Sequence, residues 1–445
     1  MASFNVDFSK ITGNVKPLHG ICMPPLLGVH NTSLFHYLKD AGIPMCRLHD
    51  VGGPFGGSHL VDVQNIFTDM DADENDPANY DFAFTDNLIT ALVENGCEPF
   101  YRLGPTIENG HNIKYYHIEP PKDNYKWARI CANIIRHYNE GWANGFHYNI
   151  RYWEIWNEPD GHHTIEGQSM WKGTMEQFFE HYKVVSNHLK KEFPHLKIGG
   201  YSSCGFYCYS EVPKWIKAAN STDRFEYFIE FFLKFLDFIS SEEGKSPLDF
   251  FSFHSYETGD NTALHAKYCR ETLDKYGFYD TETILNEWNP ADHEKGTASH
   301  ASRIAAYFIS MHDSPIDSMG FYGGSVGASN FAALIDSMPS HEPYRAYYAF
   351  YAFNKLFTHG SAVEVSDSKP DIYALAATDG EKRAVLVANR SGEKKTVTFN
   401  PEIFEGMKVV GHLTAENFIY TEVPIDAENG KLVMPKDSFI LIEAE

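Results

Sequence analysis

The feature that most constrains this chain is a repeated alternation of short apolar runs with longer amphipathic stretches, which continues to about residue 355. Buried parallel strands read as such apolar runs, and the stretches between them have the spacing of helices. We count eight candidate strands, and eight βα repeats favour closure into a barrel over an open sheet. The candidate strands are Leu18–Met23, Met45–Val51, Glu98–Leu103, Tyr152–Asn157, Lys197–Tyr201, Asp249–Tyr256, Thr283–Glu287 and Ser318–Tyr322.

Beyond about residue 358 the pattern changes to short strand-like runs broken by Asp-Gly, Ser-Gly and Asn-Gly turns. Such turns connect antiparallel strands, so this part of the chain predicts a β-sandwich. The segment Phe4–Phe8 also alternates, and we expect it to pair with the sandwich. We therefore predict an α/β fold with three parts. These are an N-terminal strand segment joining the sandwich (1–15), a (β/α)8 TIM barrel with the catalytic site (16–357), and a C-terminal antiparallel β-sandwich accessory domain (358–445).

The composition argues against several kinds of protein. The chain has 445 residues, 37 of them basic and 60 acidic, and its formal charge of −23 disfavours a nucleic-acid partner. No run of about 18 apolar residues is present, so we expect no membrane partner. The seven cysteines lack zinc-site spacing, and their odd number suggests reduced thiols. The N-terminus lacks a basic region followed by an apolar one, so we expect a cytoplasmic protein. We also expect no metal, since the cysteines lack metal-ligand spacing, and no cofactor.

Two of the predicted strands end alike. The segments Arg151–Pro159 and Glu282–Pro290 are each an apolar run that ends in a glutamate, Glu158 or Glu287, followed by a turn signal. In a parallel barrel the carboxyl ends of all strands meet at one mouth, so these carboxyls can face each other across a pocket. Hydrolysis of a glycosidic bond needs one protonated and one ionised carboxyl. The pair therefore predicts a glycoside hydrolase.

The neighbours of the two glutamates suggest different roles. Glu158 follows apolar residues such as Trp156, and these residues and the second carboxylate both favour its protonated form. We therefore expect Glu158 to be the general acid/base and Glu287 to be the nucleophile. Asn157 is a neutral donor for the sugar 2-hydroxyl.

Two further strands carry polar residues at their ends. Period-two alternation places Arg47 with His49 on one face, and His254 with Tyr256 on one face, so all four can reach the barrel mouth. A tyrosine hydroxyl and a histidine can hydrogen-bond Glu287 and keep it ionised. His254 as a core histidine is the alternative. Arg47 either contacts substrate or pairs with a strand-end carboxylate to hold the barrel.

The motifs resemble glycoside hydrolase family 39, which contains β-xylosidases and α-L-iduronidases. The segment Trp153–Asp160 looks most like the acid/base segment of that family, and Ile284–Asn289 is similar to its nucleophile segment. Arg47–His49, Phe253–Tyr256 and Pro343–Phe353 resemble its second strand, its sixth strand and its last barrel helix. The resemblance implies a retaining mechanism in which Glu158 is the acid/base and Glu287 the nucleophile, and it implies a homo-oligomer.

Strand eight departs from that family. Its enzymes usually carry a tryptophan near the end of this strand, followed by acidic residues, whereas this chain has Gly320–Ser329. Phe321 or Tyr322 can replace the aromatic floor of the sugar site. Trp288 directly follows Glu287, and we expect it to be a sugar platform rather than a core residue.

The loop after Glu158 contains Asp160, His162 and His163. These residues suggest a metal site, but adjacent histidines point in different directions, so we prefer a sugar-contacting or exposed loop. Asp50 and Glu108 can bind sugar hydroxyls or only hydrate the mouth.

Together these observations predict a retaining exo-glycoside hydrolase that releases terminal sugars from an oligosaccharide or small glycoside, with β-xylosides favoured by the resemblance. The alternatives are an arabinosidase or galactosidase of the same fold, an endo-acting glycanase, and a catalytically silent carbohydrate-binding barrel.

Overall fold

The structure is a computed structural model that describes most of the chain. Within the described residues, no helix is both long and apolar enough to cross a membrane. The described ranges are 2–28, 31–51, 61–106, 118–209, 222–290, 294–327, 333–336, 340–366 and 371–445.

A closed barrel of eight parallel strands forms the centre of the molecule, which confirms the predicted TIM barrel. Each strand pairs with the next along the chain, and β9 returns to pair with β2. All eight strands coincide with predicted ones. After the N-terminal strand β1 (Ala2–Asn14), the barrel strands are β2 (Gly20–Cys22), β3 (Met45–Leu48), β4 (Glu98–Leu103), β5 (Tyr152–Ile155), β6 (Lys197–Ser203), β7 (Phe250–Ser255), β8 (Glu282–Trp288) and β9 (Ser318–Phe321).

Helices surround the barrel, and their first turns are capped as their sequences indicate. Asp123 accepts the backbone N–H groups of Tyr125 and Lys126, and Thr174 forms a reciprocal capping box with Gln177. The described α-helices are His36–Asp40, Val63–Ile66, Ala83–Glu94, Asn124–Glu140, Met175–Glu192, Thr222–Ser240, Gly259–Lys275, Ala298–His312 and Tyr347–His359.

A second sheet of nine strands, almost all antiparallel, lies against the barrel helices. Its order is β17-β16-β19-β14-β13-β12-β1-β15-β18, and β1 pairs antiparallel with β12 and parallel with β15. The remaining strands are β10 (Val326–Gly327), β11 (Ile335–Asp336), β12 (Ser361–Ser366), β13 (Ile372–Thr378), β14 (Arg383–Asn389), β15 (Lys395–Phe399), β16 (Val409–Ala415), β17 (Phe418–Val423), β18 (Lys431–Met434) and β19 (Ser438–Ala444).

Polar contacts join this sheet to the barrel helices. The guanidinium of Arg390 donates to the Ser302 hydroxyl at 2.8 Å, and the Tyr373 hydroxyl donates to Asp260 at 2.9 Å. The segment limits at residues 15 and 357 stay a prediction.

The barrel interior changes character along its axis. At the amino ends of the strands, Met45, Phe100, Phe250 and Ile284 form a buried apolar layer. Above it the inward-facing residues are polar, as the ion pair of Arg47 with a β5 carboxylate shows. The apolar layer closes the bottom of the barrel, so chemistry is confined to the carboxyl ends of the strands.

The interior position of β1 in its sheet, between β12 and β15, leads to a stability prediction. Phe4 is 1% exposed and stacks on Phe399 with ring centroids 5.8 Å apart, whereas Ile11 on the same strand is 62% exposed. Phe4→Ala should lower the free energy of unfolding by about 3–5 kcal/mol, because it leaves a cavity in the core. The matched Ile11→Ala change should alter it by less than about 0.5 kcal/mol. Urea unfolding measures both, and equal effects would contradict the buried position of β1.

Candidate active site

A buried arginine occupies the centre of the barrel mouth. Arg47 on β3 is fully buried, and its Nε donates to Glu154 at 2.7 Å while its Nη1 donates to Glu287 at 2.7 Å. Its Nη2 donates to Asn157 Oδ1 and to the Ser202 hydroxyl, both at 2.7 Å. Arg47 therefore pairs with strand-end carboxylates, which is one of the two roles expected for it.

Glu287 at the end of β8 is held at both carboxylate oxygens. Arg47 binds Oε1, and the hydroxyl of Tyr256 donates to Oε2 at 2.7 Å. Burial and the charge of Glu287 raise the pKa of Tyr256 well above its ordinary value, so this hydroxyl keeps its proton and remains a donor. The carboxylate has a fixed orientation and only 6% of its side chain is exposed.

Glu158 follows β5 and has a different partner. The Nδ1 atom of His254 lies 2.8 Å from Glu158 Oε1, whereas the His254 Nε2 atom lies 3.5 Å from Glu287 Oε1. One imidazole thus stands between the two carboxyls, and its short hydrogen bond is to Glu158. His254 is therefore within reach of Glu287, as expected, but its short hydrogen bond is to Glu158, which the sequence did not indicate. The Glu158 side chain is 17% exposed.

The same histidine changes the expected protonation of Glu158. Burial pushes the pKa of Glu158 up, but the hydrogen bond and charge of His254 and the charge of Arg224 pull it below its ordinary value. Burial lowers the pKa of His254, but Glu287 and Glu158 raise it above its ordinary value. The expectation that apolar neighbours and the second carboxylate keep Glu158 protonated does not hold for the free protein, because the hydrogen bond and charge of His254 lower its pKa.

A β-bulge explains how Glu287 enters the barrel. The pairing of β7 with β8 shifts by one residue between Phe253 and His254, so that His254 lies opposite Glu287. The extra residue is Asn286, whose amide donates to Glu154 at 2.6 Å inside the barrel. A bulge places two successive side chains on one side of a strand, which strict alternation forbids.

Trp288, the next residue, faces away from the barrel axis. Its ring is fully buried and stacks on Tyr307 of the helix Ala298–His312, with centroids 4.1 Å apart. Phe321 packs against it from β9. The expectation that Trp288 is a sugar platform is wrong, because the bulge turns it into the layer between strand and helix.

The end of β5 also departs from regular strand geometry. Trp156 and Glu158 have positive φ values of 72° and 45°, which are uncommon outside glycine. The backbone N–H of Glu158 donates to the Ser202 carbonyl at 3.0 Å. Trp156 is thereby turned outwards, where its indole N–H donates to the Met170 carbonyl at 2.8 Å, and Glu158 remains at the mouth. Strained backbone of this kind is concentrated at functional sites.

Asn157 presents an amide donor to the mouth. Its Oδ1 accepts from Arg47, while its Nδ2 is buried and makes no hydrogen bond to any residue that the structure describes. A buried amide N–H without a partner is costly, and a ligand oxygen would satisfy it.

His49 and Tyr322 both contact Asp50 at the mouth. His49 is 2% exposed, with Nε2 3.4 Å from Asp50 Oδ1 and 3.7 Å from Glu287 Oε1. The Tyr322 hydroxyl donates to Asp50 at 2.6 Å, and its ring is perpendicular to that of Tyr256. The eighth barrel strand, β9, is followed by Tyr322. This residue, rather than the fully buried Phe321, is therefore the aromatic residue of that strand end at the mouth.

The loop after Glu158 separates Asp160 from the histidine pair. Asp160 accepts from the Ser203 hydroxyl at 2.6 Å and from the Cys204 N–H at 3.1 Å. His162 and His163 stack on each other with centroids 4.4 Å apart, at least partly exposed. The pair belongs to the loop surface, which agrees with the preferred exposed loop. Glu108 lies outside the described residues.

Three functional residues were not found by sequence reasoning. Glu154 lies below the strand end that carries Glu158, yet it neutralises Arg47 at the centre of the site. Asn286 enters the site only through the bulge on β8. Ser202 lies one position beyond the predicted end of its strand. For Ser202, extending the period-two pattern of β6 would have been a usable signal.

The buried Asp160 carboxyl leads to a prediction about pH. Burial, with the nearby charge of Glu158, raises the pKa of Asp160 to about 6, above its value in the unfolded chain. The folded state therefore binds the Asp160 proton more tightly, so this carboxyl disfavours folding as the pH rises from about 4 to 6. The change Asp160→Asn should remove this pH-dependent loss of folding stability. The stability difference between variant and parent should shift by roughly 3 kcal/mol in favour of the variant between pH 4 and pH 7. Urea unfolding at both pH values measures it, and a constant difference would refute the assignment.

Comparison with known proteins identifies relatives of this site. The model of the family described as glycosyl hydrolases family 39 matches residues 47–294. A β-xylosidase of Caldicellulosiruptor saccharolyticus is 24% identical over 373 residues, which are 76% of this chain and 68% of that protein. A β-xylosidase of Geobacillus stearothermophilus is 27% identical over 210 residues, which are 45% of this chain and 35% of that protein.

Solved structures share the fold. The crystal structure of a glucosidase from Croceicoccus marinus superposes with a TM-score of 0.77 at 21% identity, over 100% of this chain and 99% of that one. The matched family segment contains Arg47, Glu158, His254 and Glu287, which the barrel brings together. Because the family match extends over more than half of the sequence, this chain belongs to glycosyl hydrolases family 39 and is an O-glycosyl hydrolase.

Proposed function

We propose that this chain is a retaining exo-glycoside hydrolase that releases terminal sugars, with β-xylosides favoured, from oligosaccharides in two displacement steps. The observation that carries the proposal is the different environment of the two carboxyls beside His254. Glu287 is fixed by Arg47 and Tyr256, whereas Glu158 is the more exposed carboxyl and bonds the imidazole.

In the first step Glu287 is the nucleophile. Its carboxylate attacks the anomeric carbon while Glu158 donates a proton to the departing glycosidic oxygen, which gives a covalent glycosyl-enzyme. The cation of Arg47 and the hydroxyl of Tyr256 hold the carboxylate of Glu287 in a fixed orientation for this attack. Because His254 holds the pKa of Glu158 low in the free protein, Glu158 must take up its proton before the first step.

In the second step Glu158 is the base. It removes a proton from a water molecule that attacks the anomeric carbon, which breaks the bond to Glu287 and releases the sugar with net retention. The amide N–H of Asn157 supplies the donor for the sugar 2-hydroxyl, a contact that strengthens in the transition state of such reactions. His49 and Tyr322 complete the wall of the sugar site.

The choice of a β-xyloside comes from the named relatives, two of which are β-xylosidases. The solved structure described above is that of a glucosidase, and the segment Gly320–Ser329 departs from the resemblance. Arabinosides, galactosides and glucosides are therefore the comparison substrates for the tests below.

The assignment of roles predicts a specific pattern of variant kinetics. Glu287→Ala should reduce hydrolysis of a 4-nitrophenyl glycoside to background, because no nucleophile remains. Glu158→Ala should slow substrates with poor leaving groups by roughly 10²–10⁴-fold and spare the first step for good ones. Added azide should then restore turnover, because it attacks the glycosyl-enzyme without needing a base and forms a glycosyl azide. The control Glu282→Gln changes a carboxylate at the opposite end of β8, which pairs with Lys197, and should keep near-parental rates. Equal losses for all leaving groups, without azide rescue, would refute the acid/base role.

The stereochemistry and substrate range are tested on the unmodified protein. Proton NMR of the first product from a 4-nitrophenyl β-xyloside should show the β-anomer, because two inversions give net retention. An initial α-anomer would refute the two-step mechanism. A panel of nitrophenyl glycosides should give the highest kcat/KM with the β-xyloside, and xylo-oligosaccharides should lose single terminal sugars. Internal cleavage would indicate an endo-acting glycanase, and binding without hydrolysis a silent barrel.

A further inference from the structure

Ser202 on β6 connects Arg47, which binds Glu287, with His254, which binds Glu158. It is fully buried and its φ of 63° lies in the left-handed region. Its hydroxyl oxygen lies 2.7 Å from Arg47 Nη2, 2.6 Å from Asn286 Nδ2 and 2.7 Å from His254 Nε2. No described group other than these three shares a side-chain hydrogen bond with this hydroxyl.

The direction of these hydrogen bonds follows from the groups involved. A guanidinium nitrogen can only donate, and the amide of Asn286 presents its nitrogen because that atom also contacts the Glu154 carboxylate at 2.6 Å. Arg47 and Asn286 therefore occupy both lone pairs of the Ser202 oxygen. The one hydrogen of the hydroxyl remains for His254 Nε2, which must then be the acceptor.

A histidine that accepts at Nε2 carries its hydrogen at Nδ1. In this form His254 donates from Nδ1 to Glu158 Oε1 across the 2.8 Å contact, so Oε1 is an acceptor. Any proton on Glu158 then resides on Oε2, where it is available to the leaving oxygen.

We propose that Ser202 is a positioning residue that holds His254 as the neutral imidazole protonated at Nδ1, and thereby leaves the transferable proton on Glu158. The proposal rests on the acid/base role of Glu158 proposed above. Ser202 does not contact Glu158 itself and acts through His254, which bonds both residues.

The charges around His254 favour a cationic imidazole, so a neutral one needs a group that opposes them. Glu158 and Glu287 both favour a cationic imidazole, and Arg47 opposes it. A proton on His254 Nε2 with Glu158 ionised has the same total charge as neutral His254 with protonated Glu158, but it provides no acid. The Ser202 oxygen already accepts twice, so the Nε2–H of a cationic ring would lose its 2.7 Å partner. The nearest remaining acceptor is Glu287 Oε1 at 3.5 Å, an oxygen that already accepts from Arg47, and a buried donor with so long a contact is costly. The hydroxyl therefore favours the productive arrangement.

The test compares leaving groups in Ser202→Ala and Ser202→Gly. Both variants free His254 Nε2 from the hydroxyl, and glycine tolerates the positive φ so that folding is preserved. The substrates are phenyl and 2,4-dinitrophenyl glycosides of the sugar that the panel identifies. We expect kcat/KM for the phenyl glycoside to fall at least about tenfold more than for the dinitrophenyl glycoside, because only the former needs the acid.

A matched control separates this role from general damage to the site. Ser252 donates to Glu154 at 2.6 Å and accepts the backbone N–H of Ser202 at 3.0 Å, without a hydrogen bond to His254. Ser252→Ala should change kcat/KM for both leaving groups by the same factor. Nitrogen NMR of the imidazoles, with His254→Gln used for assignment, should show a larger fraction of neutral, Nδ1-protonated His254 in the parent than in Ser202→Ala at the same pH.

The outcomes are distinguishable from failure of the proposed function. If Glu158→Ala discriminates between leaving groups and responds to azide while both Ser202 variants slow the two substrates equally, the positioning role is refuted and the acid/base role stands. If His254 has the same protonation in Ser202→Ala as in the parent, the positioning role is likewise refuted. If Glu158→Ala shows neither effect, the acid/base role fails, and the role of Ser202 fails with it.

Discussion

The active site depends on one buried cation. The Arg47 guanidinium lies between Glu154 and Glu287 and is fully excluded from solvent. A charge in such a place is tolerated only when it is paired and its donors are satisfied. Arg47 meets this condition through four hydrogen bonds, and the same bonds orient Glu287, Asn157 and Ser202. The residues of the proposed mechanism are therefore arranged around a structural ion pair that also occupies the barrel interior.

The proposed roles of the two glutamates follow from their partners more than from the polarity of their surroundings. Both Glu158 and Glu287 are close to His254, but only Glu158 forms the short hydrogen bond with it. Glu287 instead receives a cation and a tyrosine hydroxyl. Burial alone would raise the pKa of Glu158, and its contact with the imidazole reverses that direction. The distribution of one proton between Glu158 and His254 thus becomes the central electrostatic question of this site.

Most of the fold was predictable because it repeats a simple pattern. Buried parallel strands are apolar along their whole length, so all eight barrel strands could be recognised, and their shared carboxyl edge brought Glu158 and Glu287 to one mouth. The strands β17 and β18 give a weaker signal, since β17 is largely exposed and the apolar run of each is only three residues long. Trp288 was misplaced because it was assigned to the sugar site from its position next to Glu287 in the sequence, whereas successive side chains on a strand face opposite sides.

By itself the sequence determined the barrel, the edge that carries the chemistry and the two carboxyls at that edge. These features depend on periodicity, which is a property of neighbouring residues along the chain. Only the tertiary structure decided which partner each carboxyl receives. The contacts of His254 with Glu158, of Arg47 with Glu154 and Glu287, and of Ser202 with His254 join residues that are distant in sequence. Hydrogen-bond direction depends on positions to within a fraction of an ångström, and the closed barrel with its strand-end irregularities sets those positions.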